Sequence, residues 1–253
     1  MSTVLVESNG PVRTITLNRP EKRNAMNAEL LAELSVAFRA TPSAEERVVV
    51  LRANGSAFCA GLDLRERVAA GGARGESPVE GVLHLVENYP LPVVAVVQGD
   101  AIAGGNELAL HCDFVVAATT ARFGMSLAQI GLAPTWFLAK KLLEVAGPVA
   151  SREILLLGDP LPATRMHALG IISRVAPPEE LEAVANVVID RLAANAPLSL
   201  RAMKSLLVRE MRFRDGIGHD DVDALVDAAR TSADAREGMA ARLEKRTAQF
   251  RGE

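Results

Sequence analysis

The chain lacks most of the features that would assign it to a special environment. Its 253 residues hold 28 Lys and Arg against 31 Asp and Glu, a net charge of −3 with no basic stripe, so nucleic acid is not an expected partner. No apolar run approaches the roughly 18 residues needed to span a bilayer, so no membrane association is expected. The opening MSTVLVESNGPVR has neither the basic start nor the apolar core of a secretion signal, and a cytoplasmic location is expected. There are only two cysteines, Cys59 and Cys112, in apolar surroundings and without metal-ligand spacing; they read as buried thiols in a reducing compartment. The four histidines are scattered and belong to no HExxH or Cys/His cluster, so no metal is expected. No GxSxG elbow, P-loop, GxGxxG or fixed-period repeat occurs. Adjacent residues on a helix point about 100° apart. The pair His111-Cys112 therefore reads as a core cysteine beside a partly exposed histidine, not as a nucleophile and its base.

What is present suits a folded α/β domain. Hydrophobic residues at 49% and charged residues at 23% rule out a disordered chain. Val4 to Val6 and Arg13 to Leu17 alternate like strands around the turn Asn9-Gly10-Pro11. Asn27 is placed to cap a helix whose Leu30, Leu31, Leu34 and Phe38 recur at helical spacing. Arg47 to Leu51 and Val93 to Val97 are continuous apolar runs, as buried parallel strands are. Gly105 to His111 reads as a helix and Phe114 to Ala117 as the next strand, a crossover unit. Residues 67–81, RVAAGGARGESPVEG, read as a long mobile loop. After about residue 136 the periodicity is helical, and the stretch from Pro197 onward reads as a helical appendage.

Two glycine-containing turns carry the chemistry. FCAGLDLRE (58–66) and GDAIAGGNELAL (99–110) each put small residues where a strand ends, leaving backbone N–H groups uncommitted to a ladder. The second turn also enters a helix, whose first amides favour negative charge. Two such amides aimed at one point would make an oxyanion hole, each worth roughly 3 kcal/mol to a developing oxyanion. Each motif alone is equally well read as a tight turn between strand and helix.

Together these turns, with LNRPEKRNAMN near the start, FG at 123–124, GLAP at 131–134, GIISRV at 170–175 and LEKRTAQF at 243–250, resemble the crotonase superfamily over nearly the whole chain. The resemblance implies a crotonase-like spiral of ββα units over 1–195 and a C-terminal helical oligomerisation segment over 196–253, building homotrimers or hexamers. It implies acyl thioesters of coenzyme A as substrates, with no cofactor besides the CoA that the substrate carries. The amides of Leu62 and Gly104 would hold the thioester oxygen while an enolate forms. Ala60, Asp63, Leu64 and Arg65 would line the CoA path, and Lys22 and Arg23 would contact its nucleotide end. Lys245 and Phe250 would complete a neighbour's CoA pocket.

Glu107 falls on the first of the family's two hydratase glutamates, three residues beyond Gly104 and on the same helix face. Partial desolvation there would raise its pKa toward proton-transfer duty. The second glutamate is missing. Where that pattern has F-G-x-P-E, this chain reads Phe123-Gly124-Met125-Ser126-Leu127, and Leu127 cannot exchange a proton. After Pro134 the expected glycine-rich turn is replaced by Thr135-Trp136-Phe137-Leu138, a bulkier pocket wall. Two expectations follow: an enolate-forming enzyme of the enoyl-CoA hydratase/isomerase type with Glu107 as its single acid/base, or an acyl-CoA-binding protein with little chemistry.

Overall fold

The computed structural model describes residues 2–69 and 79–253. The chain begins with a hairpin, β1 (Val4–Asn9) and β2 (Val12–Leu17), the latter burying Arg13, Ile15 and Leu17 on one face. Helix α1 (Ala28–Arg39) starts where the Asn27 side chain accepts the Leu30 amide, and it buries Leu30, Leu31, Leu34, Ala37 and Phe38 along one stripe. Each of the buried leucines and Phe38 stabilises the fold by about 1.5–3 kcal/mol relative to exposure.

The next elements come as strand pairs: β3 (Val48–Ala53) with β4 (Ala57–Cys59), β5 (Val93–Val97) with β6 (Asp100–Ile102), and β7 (Phe114–Ala118) with β8 (Arg122–Gly124). The first member of each pair joins a six-stranded sheet completed by β10 (Arg174–Ala176), in the order β1-β2-β3-β5-β7-β10. All its neighbours after the opening hairpin are parallel. The second member joins a smaller sheet, β4-β6-β8-β9, with β9 at Leu161–Pro162. Each turn of the chain thus adds one strand to each sheet, the ββα spiral that the resemblance implied.

The continuous apolar runs have the reason expected of parallel strands: both faces are covered. Val49, Leu51, Val93, Ala95, Val97, Val115 and Ala117 join the main core. Their neighbours Val48, Val50, Val94, Val96, Val116 and Ala118 pack under Leu181, Ala185, Ile189 and Leu192 of α7 (Leu181–Ala194).

Residues 67–81 differ from the expected loop. Arg67 to Ala69 end a short helix α2 (Leu64–Ala69), Glu80 begins α3 (Glu80–Glu87), and 70–78 lie outside the described residues. The C-terminal part is helical as expected, in α8 (Pro197–Glu210), α9 (Asp220–Thr231) and α10 (Ala233–Glu244), but it is more than an appendage. Ala235 of α10 packs on Ile130 and Leu132, and a Cβ on Gly238 would stand 2.4 Å from the Ile130 carbonyl carbon. That close approach seats α10 directly over the 125–132 segment. No helix among the described residues is long and apolar enough to cross a membrane.

Candidate active site

Strands β4, β6 and β8 lie side by side and parallel, so their C-terminal ends share one edge of the small sheet. Beyond those ends come Ala60 to Leu62, Ala103-Gly104 and Met125 to Leu127. Together they form one end of a cavity of about 120 Å³, closed by Leu132 to Thr135 and by α9 and α10. Ligands of open α/β folds commonly bind at such strand ends.

The two candidate amides come together there. Met26 and Leu62 form a parallel bridge through Met26 N–H to Gly61 and Asp63 N–H to Met26, which leaves the Leu62 amide directed the other way. Gly104 is the first residue of α4 (Gly104–Leu110), where an N–H has no intrahelical acceptor. A Cβ placed on Gly61 would sit 3.3 Å from the Gly104 nitrogen, and one on Gly104 would sit 3.7 Å from the Leu62 nitrogen. Two backbone turns create this convergence. Gly61 has φ +90°, and any Cβ there would meet the Ile102 oxygen at 2.9 Å. Ala103 has φ +50° and ψ −119°, a strained conformation for a residue with a side chain, and its amide is held by the Gly124 oxygen at 2.7 Å. Two converging donors of this kind can hold an oxyanion.

Glu107 lies one helical turn behind Gly104 and is 1% exposed. It does not line the cavity. Both its carboxyl oxygens are buried without a hydrogen-bond partner, as are the side-chain amide atoms of Asn106 and Nε2 of His111. Burial pushes the Glu107 carboxyl up to about 8; Lys141 opposes the rise and Glu80 adds to it. His111 is buried, not partly exposed as its sequence position suggested, because its ring stacks on Phe137 at 5.2 Å. Its Nδ1 lies 2.7 Å from the Glu107 carbonyl oxygen and 3.9 Å from the carboxylate. Burial, reinforced by Lys141, holds its pKa down to about 3, so the imidazole is neutral and donates that bond.

An acid pushed upward in the folded state makes stability fall as pH rises from its ordinary value of 4.5 toward 8, because the native state then holds a proton that the unfolded chain releases. The wild-type melting temperature should therefore fall relative to Glu107→Gln between about pH 5 and about pH 9. A difference that stays constant across that range would show that Glu107 is not titrating in this buried setting.

The remaining expected residues divide among three spaces. Leu127, Pro134 and Thr135 line the cavity, whereas Trp136 borders a separate cavity of about 380 Å³ and stacks on His219 at 4.6 Å. Lys22, Arg23, Asp63 and Arg65 line an open groove that meets the cavity at Ala60, Leu62 and Leu64. Asp63 is also a structural link, ion-paired with Arg19 at 3.0 Å. Lys245 caps α10 in a left-handed conformation, and Phe250 is exposed. Cys59 and Cys112 are free and buried; burial lifts the Cys59 thiol to about 12, so it stays protonated. Arg67, Arg230 and Arg242 stand in the cavity wall, and no local motif marked them.

Comparison with known proteins places the chain by family and fold. The family model described as enoyl-CoA hydratase/isomerase matches residues 7–253. A Thermus thermophilus protein provisionally named enoyl-CoA hydratase is 37% identical over 95% of this chain and 98% of its own length. The crotonyl-CoA hydratase of Syntrophomonas wolfei is 30% identical, covering 98% and 97% of the two chains. Among solved structures, a methylmalonyl-CoA decarboxylase complexed with 2S-carboxypropyl-CoA superposes with a TM-score of 0.93 at 27% identity, over 100% of this chain and 99% of that one. With the motifs on one sheet edge and the match running from residue 7 to the last, the chain belongs to the enoyl-CoA hydratase/isomerase family of the crotonase superfamily.

Proposed function

We propose that this protein is an acyl-CoA-processing enzyme that stabilises a thioester enolate between the Leu62 and Gly104 amides, with Glu107 as its single acid/base. The observation that carries the reading is the approach of those two amides at the head of an apolar cavity, next to a groove lined by Lys22, Arg23 and Arg65 that suits the phosphates of CoA. Glu107 supports it in a second way. A fully buried carboxyl with neither oxygen hydrogen-bonded costs stability and does nothing evident for the fold. On this reading a change of rotamer on the Gly104 face of α4 would bring it toward the bound thioester.

Leu127 shapes the expected activity. Hydration needs a water held between two acid/base groups, and a leucine lines the cavity in place of the second. Proton transfer at the carbon beside the thioester needs only one. The test is exchange of that proton for deuterium in butyryl-CoA dissolved in D2O, together with loss of the conjugated absorbance of crotonyl-CoA and longer enoyl-CoAs. Exchange with slow hydration is expected. A Leu127→Glu variant should gain hydration by about 10²-fold, the lower range of what one general acid contributes; no gain would show that position 127 does not face the reacting carbons.

A second reading is an acyl-CoA-binding protein without turnover, favoured by the absence of Glu107 from the cavity wall. Binding of butyryl-CoA with neither exchange nor hydration would establish it. Under either reading the protein acts in the cytoplasm as a homotrimer or hexamer. In support, α8 and α9 expose Leu198, Met203, Leu206, Leu207 and Leu225, a surface suited to burial against another copy.

A further inference from the structure

The apolar cavity is bounded differently at its two limits. On one side it meets the open groove at Ala60, Leu62 and Leu64, next to the paired amides, which is where a thioester would lie. Val79, Thr135 and Leu138 line it elsewhere, and none of them borders the groove. Among the described residues, only Thr135 and Arg230 also border the separate cavity of about 380 Å³. The chain neighbours of the three lining residues, Glu80, Trp136 and Phe137, face that second space. A wall one residue thick therefore divides the two cavities.

This wall is braced on three elements. Val79, just before α3, and Leu138 are both buried in the main core. Thr135 caps α5 (Trp136–Arg152), its Oγ1 accepting the Leu138 amide at 3.4 Å. Behind it the Trp136 ring lies parallel to that of His219, whose Nδ1 is 2.7 Å from Asp223 Oδ2, so α9 holds the wall from the far side. The space beyond is unlike the first. Glu80, His84, Asp223 and Asp227 line it, and a hydrocarbon tail there would take water from polar groups without replacing its hydrogen bonds. Each added methylene can strengthen binding only as far as the wall.

Resting on the acyl-CoA reading above, we infer that the wall sets a limit on acyl length. The substrates are short, linear acyl-CoAs, and Thr135 is the residue that stops their tail.

Calorimetric titration with butyryl-, hexanoyl-, octanoyl- and decanoyl-CoA, below their micelle concentrations, tests this. In a pocket without a far wall each methylene would tighten binding about fourfold. Octanoyl-CoA should instead bind the wild-type protein about tenfold more weakly than hexanoyl-CoA, the effect of modest overpacking. Thr135→Gly removes the side chain and leaves a residue that is still acceptable at a helix N-cap. It should raise the affinity for octanoyl-CoA relative to hexanoyl-CoA by about tenfold, which cancels that loss. If that variant does not fold, Thr135→Ser keeps the capping oxygen, removes one methyl and should shift the same ratio in the same direction. Octanoyl-CoA binding the wild-type protein as tightly as hexanoyl-CoA, or more tightly, overturns the inference. A ratio that the substitution leaves unchanged overturns the assignment to Thr135. Failure of all four thioesters to bind overturns the acyl-CoA reading itself, a result distinct from binding without a length limit.

Discussion

Replacing Glu107 by Gln should lower the rate of proton exchange at the carbon beside the thioester by about 10²–10⁴-fold, the contribution expected of a positioned general base. Acyl-CoA affinity should change little, because the side chain does not line the cavity and glutamine keeps its volume. The pH profile sharpens the test. Removal of a proton requires the carboxylate, and burial pushes the Glu107 carboxyl up to about 8. At neutral pH most of the protein is therefore in the inactive, protonated form. The wild-type rate should rise with pH, level off above about 8, and show no such rise in the Gln variant. An undiminished rate in Glu107→Gln would remove this residue from the mechanism and point to another base.

Gly105→Ala should have the largest effect on stability. A Cβ at Gly105 would lie 2.1 Å from the Cys59 oxygen and 2.7 Å from its carbonyl carbon, so the obstruction is backbone within β4. The only relief is to withdraw α4 from the small sheet, at about 3 kcal/mol, the upper range for overpacking. For a chain of this size that lowers the melting temperature by on the order of 10 °C. Withdrawal would also separate the Gly104 amide from that of Leu62, so residual folded protein should show little exchange. Gly104→Ala provides the contrast. Its Cβ meets only the flexible end of Met26, at 2.6 Å, and the loss of stability should be smaller. Near-normal melting of Gly105→Ala would contradict the close packing of α4 on β4.

Much of the local structure is legible in the residues themselves. Asn27 ahead of the Leu30, Leu31, Leu34, Phe38 stripe specifies a capped helix, and both cap and stripe are observed. The run Val93 to Val97 specifies a strand covered on both faces, and its residues divide between two cores. Elsewhere the local signal misled. His111 looked partly exposed, but its surroundings are set by Phe137 on α5 (Trp136–Arg152), a neighbour no sequence window contains. The 67–81 stretch looked like one loop because its glycines mask the short helix that ends at Ala69.

The site divides along the same line. Residue identity and short spacing suffice to fix the glycine turns, the acid at 107, the leucine at 127 and, through their joint pattern, the family. That the ends of β4, β6 and β8 stand together follows from the fold alone, since parallel pairing sets strands about 4.8 Å apart whatever their separation in the chain. It also placed Glu107 behind the cavity wall and gathered Arg67, Arg230 and Arg242 around an apolar space. The three arginines come together because α10 packs on both α2 and α9, a long-range consequence of burying apolar faces that no local motif encodes.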